Sequence, residues 1–198
     1  MTIPVWNVRG MNKKERRQDI KDHIHKLKPT MIGLVETKVR PHKARRVLNC
    51  VPQSWSYANN YTHSNKGRVC IFWSRQVWNC NIINLSSQQI TIEAKNIGGL
   101  DLVVSFIYGE NWKNQREILW ADLKQIHQAI GNKPWSLLGD INSARYTDGK
   151  VGGKQLSFSQ LYSFNSFIDH CSLTDIRSSG SKWSWHNSSW VLTEFWGG

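Results

Sequence analysis

The stretch PWSLLGDINSARYTDG, residues 134–149, joins an apolar run to a polar segment that favours turns. The apolar residues 135–138 predict a buried strand, and the Gly- and Asp-rich sequence after them predicts a loop. The strand therefore ends near Asp140. Because side chains two positions apart share one side of a strand, we expect Asp140 and Asn142 to project together from its end. An acid and an amide in this arrangement are typical of sites that handle a metal-bound phosphate.

Strand-like and helical patterns alternate along most of the chain. The predicted strands are residues 2–8, 30–37, 54–59, 67–73, 79–85, 88–94, 100–109, 134–142 and 181–187. The predicted helices are residues 13–27, 40–51, 114–130 and 158–173. In the helix 114–130, the apolar face is expected to consist of Ile118, Leu119, Leu123, Ile126 and Ile130.

This order of segments predicts a layered α/β domain. The hairpin-like spacing of residues 56–94 indicates mixed or antiparallel sheets, so we expect a four-layer α/β sandwich rather than a doubly wound parallel sheet. The chain has 198 residues and contains no internal repeat, low-complexity tract or linker, which predicts a single domain over 1–198. It also lacks GxGxxG and GxxxxGK(S/T), which argues against dinucleotide-binding proteins and P-loop NTPases.

The charge is large and unevenly distributed. The formal net charge is +12, and residues 1–50 hold 13 Lys or Arg against 4 Asp or Glu. Residues 101–198, in contrast, hold nine basic and nine acidic residues. Such asymmetry favours a polyanionic partner, and a nucleic acid backbone is the obvious one. A solvated basic face with no partner remains the alternative.

The cysteines and the apolar segments indicate the compartment. Cys50, Cys70, Cys80 and Cys171 form no CxxC pair, which argues against a zinc site and favours reduced thiols. No signal peptide is recognised, and no apolar segment approaches the roughly 20 residues of a membrane helix. We therefore expect an intracellular protein without a membrane partner, and a nuclear one if its substrate is DNA.

Several predicted strands end in a polar side chain. These residues are Asn7, Glu36, Tyr108, Asp140 and Asn142. Taken singly, each also fits a structural role as a turn former, a surface carboxylate or a core tyrosine. Because the ends of neighbouring strands converge on one edge of a sandwich, the ordered series predicts one site. Its oxygen ligands suit Mg²⁺, which takes one or two carboxylates and keeps several waters.

The ordered motifs resemble a known family. They are WNVRG, LVETK, GRVCIFW, FIYGEN, LLGDIN and FNSFIDHCSLTDIRSSGSKWSWHN. In this order they resemble the endonuclease/exonuclease/phosphatase superfamily with the DNase I-like fold. They are most similar to the apurinic-type endonuclease domain of plant LINE (non-LTR) retrotransposons. The resemblance covers about residues 3–187 and implies a Mg²⁺-dependent phosphodiesterase, with Mn²⁺ as an alternative metal, that nicks DNA.

The resemblance also implies a role for each strand-end residue. Asn7 and Glu36 match the metal-site amide and carboxylate. Tyr108 matches the tyrosine that contacts the scissile phosphate, and Asp140 matches the aspartate that orients or deprotonates the attacking water. Asn142 matches the amide that holds the phosphate or the metal beside it.

Two cations and one further acid complete the comparison with the family. Arg9 and Lys38 are expected to contact the DNA backbone close to the site. Asp175 matches an acid of the LINE branch to which we assign no chemical role. No small-molecule cofactor is implied.

The chain departs from the family pattern at its C-terminal end. The family domain closes with a further active-site aspartate and a Ser-Asp-His strand, and no SDH tripeptide occurs here. His170 lies in a predicted helix, and His186 lies in a predicted strand that matches family positions upstream of the missing part, so neither replaces that histidine. The sequence thus predicts a domain without its last strands. Three interpretations stay open: an active endonuclease, a nucleic-acid-binding relic that has lost activity, and a phosphomonoesterase of the same fold.

Overall fold

The computed structural model describes residues 2–146 and 158–176. The strands of this part are β1 (Val5–Asn7), β2 (Met31–Val35), β3 (Trp55–Asn59), β4 (Val69–Ser74), β5 (Trp78–Leu85), β6 (Gln89–Asn96), β7 (Asp101–Tyr108) and β8 (Trp135–Asp140). The helices are α1 (Lys14–Leu27), α2 (Arg45–Leu48), α3 (Lys113–Ile130) and α4 (Phe158–His170), with a short 3₁₀ turn at Pro41–Lys43. Each of these elements lies within or beside a predicted one.

The strands form two mixed sheets of the same design. The first has the order β1-β2-β4-β3, and the second has the order β5-β6-β7-β8. In each sheet one edge strand pairs in parallel with its neighbour, β1 with β2 and β8 with β7, while the remaining pairs are antiparallel. The two parallel pairs therefore direct the carboxyl ends of four strands toward loops rather than tight hairpins.

The two sheets pack face to face through one apolar cluster. Alternate residues of β2 and β7 point into this layer, including Met31 and Val35 from the first sheet and Val104 and Phe106 from the second. Gly33 lies in the same layer, where an added Cβ would stand 2.4 Å from the Phe106 ring. The small residue therefore allows the sheets to approach closely at this point.

Helices cover the outer face of each sheet, which completes the predicted four layers. Ile20 and Ile24 of α1 and Val47 of α2 pack on the first sheet. Helices α3 and α4 pack on the second sheet through a cluster that includes Ile107 and Phe167. The outer faces of β2 and β7 are thus buried under helices. This agrees with the sequences of these strands, which are apolar on both sides.

One detail of the predicted helix 114–130 is wrong. Ile118 is 54% exposed, whereas Trp120 is only 4% exposed and packs on Phe164 and Phe167 of α4. The helical spacing admits either residue at the margin of the apolar face. The docking of α4 selects Trp120, because the indole buries more apolar surface than the isoleucine would.

Some predictions fall outside the described residues. They are the strand at 181–187 and the loss of the family's closing strands. In the described part of the chain the four cysteines are unpaired, with Cys50, Cys70 and Cys171 buried, as predicted. No helix among the described residues is long and apolar enough to cross a bilayer.

Candidate functional site

The carboxyl ends of four strands meet at one edge of the sandwich. In the first sheet, Asn7 ends β1 in register with Val35, and Glu36 follows directly after β2. In the second sheet, Tyr108 ends β7 in register with Asp140, the last residue of β8. Strands β1 and β8 also contact each other across the two sheets. This contact brings the strand-end residues of both sheets together.

A chain of hydrogen bonds links the two sheets at this edge. Asn7 Nδ2 donates to Asp140 Oδ2 at 2.6 Å, between residues 133 positions apart. The backbone N–H of Asn142 donates to Asp140 Oδ1 at 3.2 Å, and Asn142 Nδ2 donates to the Gly109 carbonyl at 2.6 Å. Both oxygens of the Asp140 carboxylate therefore have donors that fix its orientation.

Hydrogen bonds hold the backbone of Glu36, the residue after β2, and its carboxylate forms an ion pair with Lys38. Gly10 N–H donates to the Glu36 carbonyl at 2.9 Å, and Glu36 N–H donates to the Arg68 carbonyl at 2.6 Å. The Glu36 side chain is only 14% exposed, and the Lys38 Nζ lies 2.5 Å from its Oε1. The Lys38 ammonium group thus neutralises the neighbouring carboxylate, and its expected contact with a DNA backbone stays a prediction.

Unfavourable backbone conformations are concentrated at the same edge. Arg9, Glu36, Lys38 and Asn142 have φ between 46° and 59°, and they are four of the six non-glycine residues with positive φ in the described ranges. A non-glycine residue in this region costs roughly 1–3 kcal/mol and persists only where its surroundings impose it. Such strain is typical of functional sites, where side-chain placement matters more than local stability.

Burial at this edge shifts two acid–base equilibria. Burial, followed by the negative charge of Glu36, raises the pKa of Tyr108 to about 12, so its hydroxyl remains protonated at neutral pH. Burial also raises the pKa of Asp140, and the Glu36 charge adds to this effect, while hydrogen bonds from Asn7 and Asn142 and the Arg9 charge lower it. Tyr108 can therefore donate a hydrogen bond, and Asp140 is a stronger base than an exposed aspartate.

Arg68 belongs to this edge, although sequence reasoning did not single it out. Its guanidinium lies 5.1 Å from the centroid of the Tyr108 ring and 2.7 Å from a Glu110 carboxylate oxygen. Its charge lowers the pKa of Tyr108 against the raising effect of burial. No signal in the sequence alone marks this residue: β4 runs antiparallel to β2, and only this pairing places the residue that precedes β4 where β2 ends.

The donor set fits a hard divalent cation. The edge offers carboxylate oxygens from Glu36 and Asp140 and amide oxygens from Asn7 and Asn142, which are ligands that Mg²⁺ accepts. The two carboxylates repel each other, since the Glu36 charge raises the pKa of Asp140, and a cation between them would relieve this repulsion. Among the described residues, no three or more His, Cys, Asp and Glu side chains form a metal-binding group. Amides and waters would therefore have to complete the coordination.

All seven predicted site residues lie at or beside this edge. Arg9 is exposed, its N–H donates to Asn7 Oδ1 at 3.0 Å, and its charge reaches Asp140. Asp175, in contrast, pairs with Arg145 at 3.1 Å. Because Arg145 follows Asn142 by three residues, this ion pair connects the loop after β8 to the segment after α4.

Several solved structures have the same architecture as this chain. An AP endonuclease from Leishmania major matches with a TM-score of 0.66 at 13% identity, over 86% of this chain and 66% of that one. An endonuclease/exonuclease/phosphatase family protein from Bacteroides thetaiotaomicron matches with a TM-score of 0.56 at 15% identity, over 72% and 63%. The chain has the endonuclease/exonuclease/phosphatase fold. A mannosyl-6-phosphatase from the same bacterium shares this fold, with a TM-score of 0.55 at 14% identity, over 72% and 66%.

The DNase I-like fold of these proteins is thus established for the chain, in agreement with the sequence-based expectation. No family model and no curated protein sequence matches the chain. The chain spans less than two-thirds of the length of the structures named above. Because one fold supports many activities, the chemistry must be argued from the residues at the strand-end edge.

We expect the raised pKa of Asp140 to appear in the stability of the protein. The ionised carboxylate destabilises the folded state at neutral pH, because burial favours its protonated form. Asp140→Asn should therefore raise the urea midpoint of unfolding at neutral pH in metal-free buffer. The difference should shrink as the pH falls below the ordinary aspartate pKa of about 3.9, where residue 140 is protonated in both the folded and the unfolded chain. Asp169→Asn, at an exposed aspartate of α4, is the control; an unchanged or lower midpoint for Asp140→Asn would contradict the expectation.

Proposed function

We propose that the chain is a member of the endonuclease/exonuclease/phosphatase superfamily and is a divalent-metal-dependent phosphodiesterase that acts on DNA. The observation that carries this proposal is the Asn7–Asp140 hydrogen bond of 2.6 Å, which joins the two sheets at the edge where Glu36 and Tyr108 also lie. Oriented carboxylates, amides and a protonated phenol in one place suit the hydrolysis of a phosphate ester.

Each residue at the edge has a role in this reaction. The Asp140 carboxylate orients a water molecule and accepts its proton while the water oxygen forms a bond to phosphorus and the P–O3′ bond breaks. Asn142 and the Tyr108 hydroxyl donate hydrogen bonds to the non-bridging phosphate oxygens. Asn7 keeps the Asp140 carboxylate in position, as its amide does in the present structure.

The proposed metal is Mg²⁺, with Mn²⁺ as an alternative. Glu36 and Asn7 would hold it, with waters completing the shell. When bound there, the metal would neutralise charge on the phosphate and on the departing 3′-oxygen. The Lys38 ammonium, which now lies 2.5 Å from Glu36, would then be released to contact a backbone phosphate.

DNA is the proposed substrate because positive charge flanks the strand-end edge. Residues 8–28, which follow Asn7, contain eight Lys or Arg and three Asp or Glu. Residues 38–46, which follow Glu36, contain five Lys or Arg and no acid. Both segments begin at the edge, so a polyanion bound along them would pass the Asp140 carboxylate. A nuclear location is proposed from this substrate.

Within the superfamily, we propose that the chain is the endonuclease domain of a plant LINE retrotransposon. This proposal is supported by the sequence motifs from WNVRG to LLGDIN. A phosphomonoesterase is the second candidate, because a mannosyl-6-phosphatase shares the fold. The basic segments favour the polymer substrate over a small phosphomonoester.

Nicking of a supercoiled plasmid by the purified protein tests the proposed function. We expect relaxed circles to accumulate in Mg²⁺ or Mn²⁺ and none to form with excess EDTA, since the metal supplies the charge neutralisation. Release of phosphate from a small aryl phosphate, measured in parallel, distinguishes the phosphomonoesterase. Absence of both nicking and phosphate release, in a protein that unfolds cooperatively, would reject both enzymes and leave a nucleic-acid-binding relic.

A further inference from the structure

Trp112 is the one exposed tryptophan among the seven in the described residues. Its side chain is 75% exposed, whereas Trp6, Trp73, Trp78 and Trp120 are at most 8% exposed and the two others are half-buried. An indole left in water forgoes the burial that makes tryptophan stabilising elsewhere in the chain. The exposed ring therefore needs an explanation outside the core.

Local structure gives no reason for a tryptophan at this position. Trp112 is the N-cap of α3 and makes no side-chain capping hydrogen bond. Ser, Thr, Asp and Asn are preferred at an N-cap, by about 1 kcal/mol over residues that cannot accept such a bond. The Trp112 side chain thus neither packs in the core nor caps the helix. Residues that break such local rules are typical of binding sites.

The loop that carries Trp112 is rigidly held. Arg116 is 5% exposed, and its Nη1 donates to the carbonyls of Glu110 and Asn111 at 2.6 and 2.8 Å. Glu110 N–H donates to Gln88 Oε1 at 2.8 Å. Burying a guanidinium is costly unless it is hydrogen-bonded, and here its hydrogen bonds fix the backbone of the two residues directly before Trp112. On a backbone held in this way, a tryptophan side chain, which has only two χ angles, loses little conformational entropy when it binds.

The same loop begins at the strand-end edge. Gly109 N–H donates to the Asp140 carbonyl at 2.8 Å, and the Gly109 carbonyl accepts from Asn142. An added Cβ at Gly109 would lie 2.3 Å from the Ile141 carbonyl oxygen, so the two segments are in direct contact. Trp112 follows three residues later, which limits the separation of its Cα from Gly109 to about 11 Å. At the roughly 3.4 Å per nucleotide of a stacked strand, this is at most about three nucleotides.

We propose that Trp112 stacks on an unpaired base of a DNA strand whose phosphate lies at Asp140 and Asn142. This inference rests on the proposed function and narrows its substrate. A base within a duplex has both faces covered by its neighbours, so an indole at this position selects single-stranded or locally opened DNA. Stacking of this kind is tolerant of sequence, because every base has a π face. Trp112 is thereby a specificity-determining residue.

The test is equilibrium binding measured by fluorescence anisotropy in EDTA, with a short labelled single strand and its matched duplex. We expect Trp112→Ala to weaken binding of the single strand about tenfold and to change binding of the duplex much less. Trp112→Phe should retain most of the affinity and Trp112→Leu should not, because only the former keeps a π face. Tyr57→Ala, at a half-exposed tyrosine on the edge strand β3, is the matched control and should have no effect.

Equal single-strand affinity for Trp112→Ala and the unaltered protein would overturn the inference, as would equal losses for single strand and duplex. Binding in EDTA requires no hydrolysis, so the result is separate from plasmid nicking. If the protein nicks plasmid but Trp112→Ala binds the single strand as tightly as the unaltered protein, only the proposed base contact would be rejected. Trp112-dependent binding of the single strand without nicking would uphold the base contact and reject the phosphodiesterase.

Discussion

Asp140→Asn is expected to reduce plasmid nicking by about 10²–10⁴-fold, the usual effect of removing a general base. The substitution keeps the size of the side chain and leaves an oxygen that can still accept from Asn7 Nδ2, at the cost of the longer hydrogen bond from the Asn142 N–H, which an NH₂ group cannot accept. What it removes is the group that takes the proton from the attacking water. Initial rates of nicking, compared at equal protein and Mg²⁺ concentrations, measure the effect.

The control for this substitution is Asp169→Asn. Asp169 is an exposed aspartate on α4, so its loss should leave nicking unchanged. Nicking that persists at the original rate in Asp140→Asn would show that another group accepts the proton and would remove Asp140 from the proposed mechanism. Because Asp140→Asn is also expected to stabilise the fold, reduced nicking cannot be ascribed to unfolding if the urea midpoint rises.

Of the substitutions considered, Gly139→Ala is expected to lower the free energy of unfolding most, by about 3–5 kcal/mol. Gly139 has φ 136°, a conformation that side-chain-bearing residues rarely adopt. An added Cβ would stand 2.0 Å from the Ile107 carbonyl oxygen on the paired strand β7. Backbone of a central strand cannot move aside as a flexible side chain can, so β8 would have to shift relative to β7. The free energy of urea unfolding measures the cost.

Gly99→Ala separates the two causes of this loss. Gly99 also has a positive φ, of 86°, but nothing lies within 4 Å of the Cβ that would be added. Its substitution should therefore cost only the conformational strain, about 1–2 kcal/mol. If the two alanine variants were equally stable, the close approach of Gly139 to Ile107 would have no energetic weight. Asp140 follows Gly139 directly, so Gly139→Ala should also impair nicking.

Much of the candidate site was predictable from residues that end apolar runs. Asn7, Glu36, Tyr108 and Asp140 each terminate or follow a strand whose apolar pattern is legible in the sequence. The pattern works because a buried strand must end where a polar side chain can reach water or a partner. The fold class followed from the same alternation of strand and helix, and the structural comparisons confirm it.

Other features depend on contacts between distant segments. The sequence does not distinguish Ile118 from Trp120 on α3, because both lie at the margin of its apolar face, and the docking of α4 buries Trp120. The role of Arg68 beside Tyr108 likewise arises only when β4 pairs with β2 while β7 packs on the opposite sheet. Local periodicity carries no information about which segments meet.

The sequence by itself determined the order of strands and helices, the residues at the strand ends and the basic segments after Asn7 and Glu36. These depend on the side chains and their period along the chain, which local geometry translates directly into faces and ends. Only the tertiary structure placed Asn7 Nδ2 at 2.6 Å from Asp140 and left the Trp112 side chain exposed to water. The physical reason is the burial of apolar residues between the two sheets. This packing fixes the relative position of segments that lie more than a hundred residues apart in the sequence.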